Sequence, residues 1–139
     1  MNEQKPVAFI AGGVFAWLAN NTTPLVQALF LLSVLDIVSG LLKAGITSSL
    51  SSSSSYKGML KKAYMFLIVA VGWIAQHKVG LDFGVPVDSV IAGAFCMTEI
   101  LSILENAKAS GVSVPGWLFE RFANADKGRS DTEKTQKSA

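Results

Sequence analysis

Residues 24–46 carry only two charged side chains, Asp36 and Lys43, in a run that apart from Gln27 is otherwise apolar or small. As a helix rising 1.5 Å per residue, the run is about 34 Å long. That length crosses the ~30 Å hydrocarbon core of a bilayer with some tilt. Pro24 suits a first helical position, with Thr23 ahead of it as N-cap. Two more stretches, 63–81 and 87–104, lie close to the minimum spanning length, and a shorter one, 7–19, reaches only about 20 Å as a helix. The pattern predicts an all-α integral membrane protein of three to four hydrophobic helices (7–19 short, 24–46, 63–81, 87–104) with a polar C-terminal tail.

Composition agrees with a chain built for lipid. Half of the 139 residues are hydrophobic and 16% are charged, against about 25% charged in soluble domains; the mean hydropathy is +0.42. Nine of the 22 charges fall in the last 20 residues. The expected division is a membrane-embedded domain over 1–119 and a charged tail over 120–139, too poor in apolar residues to order itself. A net charge of +2 is too small for a nucleic-acid footprint. A single cysteine, Cys96, and a single histidine, His77, supply neither a disulfide framework nor a metal site. No Gly-rich phosphate loop or nucleophile elbow is present. Neither an enzyme nor a cofactor is expected.

The stretch 7–19 does not read as a cleaved leader: Lys5 is opposed by Glu3, and no small-x-small site follows Ala19. It reads as a short membrane segment, crossing or lying in the interface, with Gly12 and Gly13 permitting close packing. The run Ser51 to Ser55 reads as a flexible linker in a loop over 47–62 that also holds Lys57, Gly58, Lys61 and Lys62. Lys43, Lys57, Lys61 and Lys62 on one side, and Lys108 and Arg121 after the last span, place that loop and the C-terminus in the cytoplasm by the positive-inside rule. Four crossings, the expected number, bring the N-terminus to the same side; a flat first stretch would put it outside.

Asp36 sits near the middle of its span, where an ionised carboxylate costs ~2.5–3.5 kcal/mol on insertion scales. Ser33, Asp36, Gly40 and Lys43 recur at three- and four-residue steps and share one helix face. In the last span Ala92, Cys96, Glu99, Ser102 and Asn106 repeat the arrangement. Such stripes face other helices or water, and Lys43 is placed to pair with Glu99. Cys96 reads as a packing residue. The 63–81 span is apolar almost all round, with Ala70, Gly72 and Ala75 as small contacts, and reads as scaffold.

Two runs also carry a resemblance. Leu35-Asp36-Ile37-Val38-Ser39-Gly40 with Lys43-Ala44, then Leu50-Ser51-Ser52, Lys57-Gly58 and Lys61-Lys62, form the first. Glu99-Ile100-Leu101-Ser102-Ile103-Leu104-Glu105-Asn106 with Gly111 and Pro115 forms the second and more specific one. Over roughly residues 10–120 the sequence resembles the small phage holins, a family that includes clostridial toxin-release proteins. It departs from many relatives at Gln76-His77, where they carry an acidic residue, and in its longer serine run.

The resemblance implies a protein of the bacterial cytoplasmic membrane that forms a homo-oligomer and opens holes for an endolysin or toxin, without needing to touch that protein. The Asp36 and Glu99 stripes would then line helix contacts or the hole. Two readings compete with it: a small ion or proton channel or transporter subunit using Asp36 and Glu99 as a relay, and a passive anchor for a partner on the tail.

Overall fold

A computed structural model describes residues 20–49 and 52–137. The 7–19 stretch, and with it the question of a fourth crossing, lies outside the described residues. Within them run α1 (Pro24–Thr47), α2 (Ser52–His77), α3 (Val87–Ala109) and α4 (Gly116–Lys137). Three helices are long and apolar enough to cross a membrane: Pro24–Thr47, Tyr56–His77 and Val87–Ala109.

Local chemistry sets the helix ends. Pro24 opens α1 behind an extended Thr23, where the missing proline N–H costs nothing. The helix closes on Ser48 in the left-handed region, with the Ser49 N–H donating to the Ala44 carbonyl at 3.1 Å. This is the 6→1 bond of a Schellman end. After α2 the chain turns through Gly80 and Gly84, both at positive φ. Gln76 holds that turn: its amide donates to the Val85 carbonyl at 3.1 Å and accepts from the Val87 N–H at 2.9 Å. Asp88 in the first turn of α3 and Lys108 in its last both suit the helix dipole.

Two segments differ from expectation. From Ser52 on, the serine run is the start of α2, not a linker, so Lys57, Gly58, Lys61 and Lys62 are helical residues. Serine costs only about half a kcal/mol against alanine in a helix and is at home near an N-terminus, while Tyr56, Met59 and Leu60 carry the apolar pattern upstream of residue 63. The segment 120–139 is helical through Lys137 rather than irregular. Past Pro115 it has no proline and is rich in Ala, Glu, Lys, Arg and Gln, which form helix well without a core.

Helix α3 is central and packs against each of the other three. It runs parallel to α1: Cys96 lies against the Leu25 carbonyl and Asn106 against Asp36. Helix α2 is antiparallel to both. Gly72 meets Val87 and Ile91 near one end of α3, Lys62 meets Glu99 near its middle, and Phe66 packs edge-on against Phe30 of α1 at 6.2 Å. The buried core is small, consisting of Val26, Leu29, Val69, Ala92 and Cys96. Only 17, 11 and 22% of the three spans is buried within the chain, so most of their apolar surface is left for lipid or other copies.

Candidate functional site

The two polar stripes meet at the α1–α3 contact. Ser33, Ala92, Cys96 and Glu99 are buried there, and Gly40 lies beside Asn106, whose Nδ2 would stand in ordinary contact, 3.8 Å, with a Cβ at that position. A side chain from α2 completes the cluster. The Lys62 ammonium donates to Asp36 Oδ2 at 2.9 Å and to Glu99 Oε1 at 2.6 Å, and also contacts Glu99 Oε2. One cation therefore bridges two carboxylates on two helices, using donors that an ammonium has in threes.

Asn106 finishes the network. Its Nδ2 donates to Asp36 Oδ1 at 3.2 Å and to Ser39 Oγ at 3.0 Å, and the Ser39 hydroxyl donates to the Asp36 carbonyl at 2.9 Å. Both carboxylate oxygens of Asp36 are thus occupied, one by Lys62 and one by Asn106. Glu99 is 3% exposed, and the side chains of Lys62 and Asp36 are each 14% exposed. Each of the three charged residues comes from the middle of its own helix. Asp36 and Glu99 each stand about 18 Å along the axis from the start of their helix, and Lys62 about 22 Å from the end of its own.

This geometry corrects one expected pairing. Glu99 is bound by Lys62, not Lys43, because Lys43 lies seven residues, or about 10 Å, further along α1 than Asp36. Glu99 stands at the middle of α3, which continues to Ala109. Lys43 is half-buried and lines a cleft between α1 and α2. Ser33 is buried with no partner for its hydroxyl, and Ser102 is half-buried on α3 outside the network. Lys57 and Lys61 are exposed on α2, and Gly58 lines the cleft.

Sequence reading missed two acid-handling positions. Lys62 was hidden by the serine run, which made its segment look like a loop. The signal available was the helical spacing of Lys62 from Met59, Met65, Phe66 and Val69. Asp88, 3% exposed and with Oδ1 lacking a hydrogen-bond partner, is buried against α2 beside Gly72. Among the described residues no group of three or more His, Cys, Asp or Glu side chains is assembled that could hold a metal.

Comparison with known proteins bears on this arrangement. The profile of the bacteriophage holin family matches residues 13–127. An uncharacterized protein of Listeria monocytogenes is 34% identical over 91% of this chain and 89% of its own. An uncharacterized protein of Halalkalibacterium halodurans is 30% identical over 84% of this chain and 88% of its own. A Bacillus phage phi105 protein named a probable holin is 29% identical over 68% of each chain. No solved structure matches the chain.

Proposed function

The chain belongs to the bacteriophage holin family, and from that premise we propose that it oligomerises in the cytoplasmic membrane of a bacterium and opens holes through which an endolysin or toxin leaves. It is a multi-pass membrane protein of a non-enzymatic family. The observation that carries the proposal is the Asp36–Lys62–Glu99 bridge, closed inside a single chain at mid-span. Three charged groups at that depth are costly unless paired. Within one copy they satisfy one another, so the subunit accumulates in lipid with its charges covered.

Hole opening uses the same groups differently. When α2 moves away from the α1–α3 pair, the stripes through Asp36, Gly40, Glu99 and Asn106 lose their internal cation and require water or a neighbouring copy. A ring of such subunits turns the stripes to a hydrated lumen and leaves the apolar faces, including Leu31, Leu35, Leu67 and Val71, on lipid and on neighbours. The basic end, with Lys43, Lys57, Lys61 and Lys108, lies on the cytoplasmic side by the positive-inside rule, and α4 with it.

Inducible expression in a bacterium, with membrane potential and escape of a cytoplasmic enzyme followed together, tests the proposal. Depolarisation with simultaneous enzyme escape is expected. Two carboxylates bracketing one ammonium also suit a proton or ion relay; depolarisation with the enzyme fully retained would replace the hole by such a channel.

A further inference from the structure

Toward the basic end of the bundle, beyond the Lys62 bridge, α1 and α2 separate and leave a cleft of about 520 Å³. Its apolar walls include Ile37, Leu41 and Ala44 of α1 and Met59 of α2. Gly58 widens it, since a Cβ there would meet nothing within 4 Å. Two cations line the cleft, and they differ in state. The Lys62 ammonium is taken up by Asp36 and Glu99. Lys43 is half-buried, and among the described residues no carboxylate forms an ion pair with it. It stands four residues, or about 6 Å, inside the end of α1, within headgroup reach of a snorkelling lysine.

We propose that this cleft holds one acyl chain of an anionic phospholipid, with its phosphate on the Lys43 ammonium and the Ser49 hydroxyl that also lines the cleft. Charge and shape both select this occupant. The apolar walls exclude a bare hydrated anion from most of the volume, and the Lys43 ammonium, which pairs with no carboxylate among the described residues, favours a negative partner at the shallow end. Basic pockets between membrane helices take anionic headgroups for this reason. Lys57 and Lys61, exposed on α2, and Lys108 of α3 outnumber the nearby Glu105 and extend the positive field around the opening. The site depends on α1 and α2 lying in a bilayer and not on hole formation, so it stands or falls separately from the lytic function.

Native mass spectrometry of the purified full chain, equilibrated in detergent with equimolar phosphatidylglycerol and phosphatidylcholine of identical acyl chains, tests the site. Wild type retains phosphatidylglycerol several-fold over phosphatidylcholine. Lys43→Gln lowers that preference about fivefold, the worth of one basic side chain beside an anionic surface, while Lys78→Gln, beyond the opposite end of α2, leaves it in place. Gly58→Leu fills the cleft without altering charge and improves local helix propensity; it lowers retention of both lipids. Equal retention of the two lipids by wild type, an unchanged preference in Lys43→Gln, or wild-type retention in Gly58→Leu would overturn the proposal. Full displacement of phosphatidylglycerol by millimolar inorganic phosphate would instead assign the cleft to a free anion.

Discussion

Lys62 decides the fate of two acids. Removing one partner of a buried, hydrogen-bonded ion pair costs about 3–5 kcal/mol, because the other charge is left uncompensated. Lys62→Met, which keeps much of the stem and deletes the ammonium, should therefore destabilise the detergent-solubilised protein by roughly that amount, read as a fall in thermal unfolding temperature. Asp36→Asn should cost less, about 1 kcal/mol, since the Lys62–Glu99 pair survives and the amide can still bond Asn106. Combining Lys62→Met with Glu99→Gln should recover part of the loss; a double variant as unstable as the sum of the two singles would show that the pair is not coupled. At this scale the sequence was informative where spacing alone decides a face: Ser33, Asp36 and Gly40, and Cys96, Glu99 and Asn106, could be placed on two stripes without coordinates. The identity of the bridging cation was not legible. It depends on where α2 begins and how deep it lies, and a serine run carries a weak helical signal.

Helix ends and helix approaches belong to the next scale. Pro24 marks a boundary that sequence reading finds, and two of the three spans begin where the apolar pattern begins, but the span expected to run to Leu81 ends as a helix at His77. The extensions of α2 to Ser52 and of α3 to Ala109 were less legible, because polar residues at the membrane edge continue a helix that hydropathy has already left. Helices α2 and α3 pack closely at Gly72, where an added Cβ would stand 2.9 Å from Ile91 Cδ1 and 3.1 Å from Val87 Cγ1. Close packing through small residues is what holds helices together in lipid, where apolar burial gives little drive. Gly72→Leu should push the two helices apart at this end at a cost of about 1–3 kcal/mol. Disulfide trapping between cysteines at Val69 and Ala92 in a Cys96→Ser background should become slower in that variant; equal trapping rates would mean that Gly72 is not a packing contact.

At the scale of the molecule, few side chains are buried among the described residues and much apolar surface is exposed, which fits a subunit that finishes its packing with lipid and with copies of itself. The proposed topology rests on the lysines. Single cysteines at Ser49 and Ser113, in a Cys96→Ser background, should resist an impermeant thiol reagent in intact cells before lysis, while one at Val79 should react. The reverse pattern would invert the orientation, and reaction at only one of Ser49 and Ser113 would change the number of crossings between them. The membrane architecture could be read from span lengths, and the family resemblance from the Asp36 and Glu99 runs, whereas the α1–α3 partnership could not, since any two of three spans can in principle be neighbours. The central claim is that this chain alone makes holes wide enough for a folded protein. Purified protein reconstituted into liposomes loaded with both a small dye and a protein-sized marker tests it most directly. The account predicts that dye and marker escape with the same onset once a threshold protein density is passed, and that Asp36→Leu, though inserted equally well, shifts that onset. Escape of dye with the marker fully retained at every density would contradict it.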